Sequence, residues 1–131
     1  MAHVAAMAEG ESYRDPHAGA YRRSADPLLG YELSPGALGV VNEEGYVGPR
    51  VPEDRAPGSY RILALGDSVT VAGSNTGDSY LNAMEQALGS TPGAPPVEAL
   101  NFGVGGYATR QEVRVLETRG LGYQPDLVIL G

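Results

Sequence analysis

Arg61-Ile62-Leu63-Ala64-Leu65-Gly66-Asp67-Ser68 is an unbroken apolar run that ends in a turn. A run without alternation is what a strand buried on both faces requires, and a parallel sheet flanked by helices buries both faces. Downstream, a Gly- and Ser-rich loop leads to Asp78, a residue able to cap a helix. Leu81, Met84, Ala87 and Leu88 fall on one face of that helix, and Gly89 ends it. The loop Thr91 to Pro96 precedes a second strand over Val97 to Asn101. Thr109 with Glu112 makes a capping box for a second helix, with Val113 and Leu116 facing inward and Gly120 or Gly122 as its stop. Pro125 forbids further helix, and Asp126 to Leu130 reads as a third apolar strand.

The order strand, helix, strand, helix, strand implies α/β architecture: a three-layer, flavodoxin-like parallel sheet with helices on both faces. About three strands is few for such a domain, and one face should be short of cover. The sequence therefore reads as an α/β domain over residues 60–131 that is incomplete, cut in mid-domain.

Upstream the pattern changes. Residues 1–59 carry the turn signals Asp26-Pro27, Ser34-Pro35-Gly36, Gly48-Pro49 and Ala56-Pro57-Gly58, with no sustained period of 2 or 3.6. This predicts an extended, irregular Gly/Pro-rich arm packed on the domain by its Tyr and Leu side chains.

Length and composition set outer limits. The 131 residues suit one domain, and 42% apolar content suffices for a core. The net charge is −7, and the nine basic residues are scattered and all arginine, so a phosphate backbone is repelled and nucleic acid is not expected as a partner. Without cysteine there is neither a disulfide nor a thiolate metal site. The opening MAHVAAMAEGE lacks a basic start and meets Glu9 and Glu11 too early for a secretory segment. No stretch has transmembrane length, and the compartment is left open.

In open α/β sheets chemistry gathers at the carboxyl ends of strands, where Asp67 and Ser68 stand. A serine there can also be an ordinary turn or cap residue. Asp67 could in principle hold Mg²⁺ or accept a phosphoryl group, but that chemistry wants acids at neighbouring strand ends, where the sequence offers Asn101 and Leu130-Gly131. Gly103-Val104-Gly105-Gly106-Tyr107-Ala108 satisfies the G-x-G-x-x-A dinucleotide fingerprint. It lacks the acid at the end of the next strand, because Asp126 begins that strand and lies at the wrong sheet edge. No metal or organic cofactor is expected.

The blocks RILALGDSVT, LNFGVGGYATRQE and RGLGYQPDLVILG, in this order and spacing, resemble bacterial SGNH hydrolases, the GDSL esterases. DPLLGYELSPG and VNEEGYVGP resemble the arm that precedes the catalytic domain in a subgroup of that family. The resemblance implies that Ser68 is the nucleophile, attacking an acyl ester and passing through an acyl-enzyme. It implies that the backbone N–H groups of Ser68 and Gly106 face the oxyanion, and that Asp67 and Asn101 support the turn rather than react. The substrates implied are small acyl esters, among them acetylated carbohydrates and lipid-like esters, with acyl transfer to a sugar left open. The family's third-block Asn and its Asp-x-x-His pair are missing from this sequence, whose histidines are His3 and His17. The expectation is thus the N-terminal portion of a hydrolase, nearly inert alone. The alternatives are a non-catalytic fragment or pseudoenzyme that binds a partner chain, and a nucleotide-binding half-domain resting on Gly103 to Ala108.

Overall fold

A computed structural model describes residues 19–131. The start of the chain, with His3, His17 and the stretch MAHVAAMAEGE, lies outside the described residues.

The first apolar run becomes the central strand β3 (Tyr60–Leu65), flanked by β4 (Val97–Asn101) and β5 (Leu127–Leu130) in the order β4-β3-β5, all parallel. Ile62 to Leu65 are at most 1% exposed, which explains why this run shows no polar alternation. Ile62 and Ala64 share a cluster with Leu81 and Met84 of the helix α2 (Tyr80–Gly89). Leu63 and Leu65 point the other way, into the main core with Val115 of the helix α3 (Thr109–Thr118). A one-turn helix, α1 (Ser68–Val71), follows β3 directly. The third strand is less covered: Leu127 and Leu130 remain 41% and 54% exposed. Among the described residues, no helix is long and apolar enough to cross a membrane.

Several local expectations shift by one or two residues. Ser79, not Asp78, caps α2, its Oγ accepting from the Asn82 N–H at 3.1 Å. Ala87 and Leu88 lie exposed on that helix. In α3 the N-cap is Ala108 rather than Thr109; alanine has no side-chain acceptor, so the expected capping box does not form, and only Gln111 Oε1 reaches back, accepting from the Ala108 N–H at 2.9 Å. On this helix Val113 faces outward, 41% exposed, and Val115 and Glu112 are buried instead.

The segment ahead of residue 60 is more ordered than an extended arm. It contains the antiparallel hairpin β1 (Tyr21–Arg23) with β2 (Tyr31–Leu33) and a 3-10 turn over Ala37–Gly39. Strands of three residues are too short to display a period of 2 in sequence. Leu29, Leu33, Val41, Tyr46 and Val47 enter the same core as Leu63 and Leu65, so this segment covers the α3 face of the sheet.

Arg61 ties the parts together. It sits inside the apolar run yet is fully buried. Its guanidinium donates to Glu98 Oε2 at 2.6 Å and to the carbonyls of Glu53 at 2.9 Å, Tyr123 at 2.8 Å and Pro52. A buried cation is tolerable only when its donors are satisfied, and here they bind three separate segments to the strand.

Candidate functional site

The turn after β3 brings together the residues singled out in sequence. Asp67 is the N-cap of α1, its Oδ1 accepting from the Val69 N–H at 2.8 Å. Ser68 is the first residue of that helix and is exposed at the carboxyl end of the central strand. An N-cap and first-turn position leaves backbone N–H groups without intrahelical partners, and among the described residues the Ser68 N–H donates to no backbone carbonyl.

Gly66 makes so tight a turn possible. A Cβ there would overlap Thr70 Oγ1 and come within 2.8 Å of Thr70 Cβ. Thr70 itself is fully buried, with its hydroxyl 3.2 Å from that of Tyr80. Gly103 crowds the same side chain from the other loop, its imagined Cβ 2.9 Å from Thr70 Cβ and Cγ2. Thr70 is therefore the post around which both loops close, and sequence reading gave it no role.

Asn101, at the end of β4, fastens the loops from beneath. Its side chain is buried, donates to the Thr70 carbonyl at 2.8 Å and accepts from the Gly103 N–H at 3.0 Å. The Val104 N–H reaches the Gly66 carbonyl at 3.0 Å, so the serine turn and the glycine loop are hydrogen-bonded to each other. Gly105 passes close to the serine: the point where its Cβ would stand is 4.0 Å from Ser68 Cβ. Gly106 is exposed with φ of 78°, a left-handed conformation that favours glycine. Its N–H, like that of Ser68, donates to no backbone carbonyl among the described residues.

Two arm tyrosines reach this loop, and no sequence signal beyond their aromatic character pointed to them. The Tyr31 hydroxyl donates to the Gly105 carbonyl at 2.7 Å, and a Cβ on Gly105 would meet the Tyr21 hydroxyl at 2.5 Å. Tyr107 closes the set by donating its hydroxyl to the Tyr31 carbonyl. Burial pushes the Tyr107 phenol up to about 12 and raises that of Tyr31, so these two act as neutral donors.

One acid faces the site from α3. Glu112 is 4% exposed, and burial, with Asp67 nearby as a second cause, raises its pKa above the ordinary carboxylate value. Acids at the strand ends do not gather around Asp67, and among the described residues no group of three or more His, Cys, Asp or Glu side chains could hold a metal ion. A concavity of about 450 Å³ is lined by Val41, Asn82, Glu85 and Asn101 among others; Ser68 does not line it. Ser68 itself is exposed.

No family model, curated protein or solved structure matches this chain.

Proposed function

We propose that this chain carries the nucleophile half of a serine ester hydrolase of the SGNH type, built on a three-layer, flavodoxin-like sheet. Ser68 attacks the carbonyl of an acyl ester, and the N–H groups of Ser68 and Gly106 receive the charge that develops on the carbonyl oxygen. One observation carries the reading: an exposed serine at the end of the central strand sits beside a glycine loop, and neither Ser68 nor Gly106 gives its N–H to a backbone carbonyl of the described residues. Unpaired donors next to a hydroxyl suit a reacting oxyanion better than they suit a structural turn, which would use them.

A hydroxyl also needs a base. The resemblance puts a His, an orienting Asp and an Asn donor in segments this sequence does not contain, so the 131-residue chain alone should not turn over ester. Losing triad members typically lowers the rate by ~10⁴- to 10⁶-fold. Imidazole supplied in solution can stand in for the missing base. With p-nitrophenyl acetate and imidazole, peptide mass analysis should find acetyl on Ser68 and none at this site in Ser68→Ala. Acetylation spread over other hydroxyls, with Ser68 unmodified, would end the hydrolase reading.

A further inference from the structure

We infer that Tyr31, on the arm hairpin, is the positioning residue for the Gly106 N–H. The inference rests on the reading of that N–H as an oxyanion donor, but its structural half stands apart from it. A trans peptide is planar, with its C=O and N–H pointing in opposite directions. Gly105 and Gly106 share one such peptide. Its carbonyl is held by the Tyr31 hydroxyl at 2.7 Å, so the N–H of the same plane is turned away from Tyr31.

Two glycines in succession cannot fix that plane themselves, because neither has a side chain to restrict rotation. The loop's other bonds act on its neighbours: Val104 N–H to the Gly66 carbonyl at 3.0 Å and Tyr107 N–H to the Val104 carbonyl at 3.1 Å. The Gly105–Gly106 peptide is spanned by them but not gripped, and Tyr31 supplies the grip. A Cβ on Gly106 would stand 2.7 Å from the Tyr31 hydroxyl, so the close approach also demands glycine there.

Tyr31 is itself immobilised. Its backbone carbonyl accepts from the Tyr107 hydroxyl, and its ring meets those of Tyr21 and Tyr107 edge-on at centroid distances of 5.5 and 5.3 Å. Its strand pairs with β1 through Arg23. The grip on the peptide is therefore as firm as the hairpin.

The test is the orientation of the Gly106 N–H bond in the full chain, read by residual dipolar couplings in Tyr31→Phe against wild type. This variant keeps the ring and removes only the hydroxyl. The Gly106 coupling should change while those of β3 and α3 stay fixed. Methylphosphonate, a tetrahedral anion, should shift the Ser68 and Gly106 amide resonances in wild type and bind about 10-fold more weakly to Tyr31→Phe. An unchanged Gly106 coupling overturns the inference, whatever the anion does. A changed coupling with no methylphosphonate response in wild type upholds the positioning role and counts against the hydrolase reading instead.

Should Tyr31→Phe not fold, 3,5-difluorotyrosine at position 31 gives the same answer. Its phenol ionises at milder pH, and a phenolate cannot donate to the Gly105 carbonyl. The Gly106 amide should then titrate with the same midpoint as the fluorine signal. A flat Gly106 resonance across that transition overturns the inference equally.

Discussion

Thr70 occupies the space that a side chain on Gly66 would need: a Cβ there lies 2.8 Å from Thr70 Cβ and overlaps its hydroxyl. Thr70 is fully buried and hydrogen-bonded to Tyr80, so it cannot swing aside. Gly66→Ala should cost at least the ~1–3 kcal/mol of an overpacked core, read as a lower urea midpoint. Gly89, in α2 with open space where its Cβ would go, is the contrast. Gly89→Ala should be neutral or stabilising by up to about 1 kcal/mol. Equal effects at the two positions would refute this account of the turn.

Arg61→Met should be among the most damaging single changes. It leaves Glu98 without its partner and strips hydrogen bonds from the carbonyls of Glu53, Pro52 and Tyr123. The Glu98 side chain is itself 28% exposed and keeps part of its hydration, so the loss should be about 1–3 kcal/mol, the cost of a buried group such as the Tyr123 carbonyl left unpaired. Thermal unfolding followed by circular dichroism reads the loss. A change below about 1 kcal/mol would mean that water reaches the guanidinium.

Ser68 and Asn101 should separate cleanly in stability. Ser68 is exposed, so Ser68→Ala should stay within about 0.5 kcal/mol of wild type. Asn101→Leu orphans the Gly103 N–H and the Thr70 carbonyl, at about 1–3 kcal/mol for each group left buried and unpaired. Denaturant titration of the two variants side by side decides it. A large loss in Ser68→Ala would make that serine part of the scaffold.

Glu112 sets a pH dependence whose sign follows from its burial. Its folded pKa lies above the ordinary value of 4.5, so folding favours the protonated form. Its favourable contribution is fully present below that value and is lost as pH rises through the folded pKa. Glu112→Gln should therefore be at least as stable as wild type at pH 7, with any advantage closing as pH falls through the raised folded pKa toward 4.5. Urea midpoints measured from pH 4 to 8 test this; a variant less stable at neutral pH would contradict it.

A chain beginning at residue 60 should not fold. It would lose Leu29, Leu33, Val41, Tyr46 and Val47 from the core. At about 1.5–3 kcal/mol for each buried side chain, the loss is on the order of 10 kcal/mol, comparable to the whole stability of a small domain. Near-ultraviolet circular dichroism and amide dispersion of the shortened chain provide the check.

The three parallel strands and their order along the chain were legible because an unalternating run such as Ile62 to Leu65 admits few other readings. The capping residues were less so. Asp78 and Ser79 are both good caps, and only the reach of Ser79 Oγ to the Asn82 N–H decides between them. The start of α3 lies one residue early, where the Gln111 side chain accepts from the Ala108 N–H, and the buried face carries Val115 where Val113 was expected. In the site, Gly66-Asp67-Ser68 is a local signal that spacing can reveal. Tyr31 is not, since its partner Gly105 stands 74 positions away and no local pattern links them.

That separation bears on how the protein comes to be folded at all. The contacts between the hairpin and the glycine loop and α3 join residues 74, 82 and 88 positions apart, for Tyr31–Gly105, Leu29–Gln111 and Asp26–Arg114. Pairings so distant in sequence are the slow ones, because the intervening chain must be looped before any contact rewards it. On a ribosome adding ~5–20 residues per second, Tyr31 is made roughly 4–15 s before Gly105 exists. The tyrosines that grip the loop therefore emerge first and must wait, bare and unpartnered, for the strand and helix they are to cover.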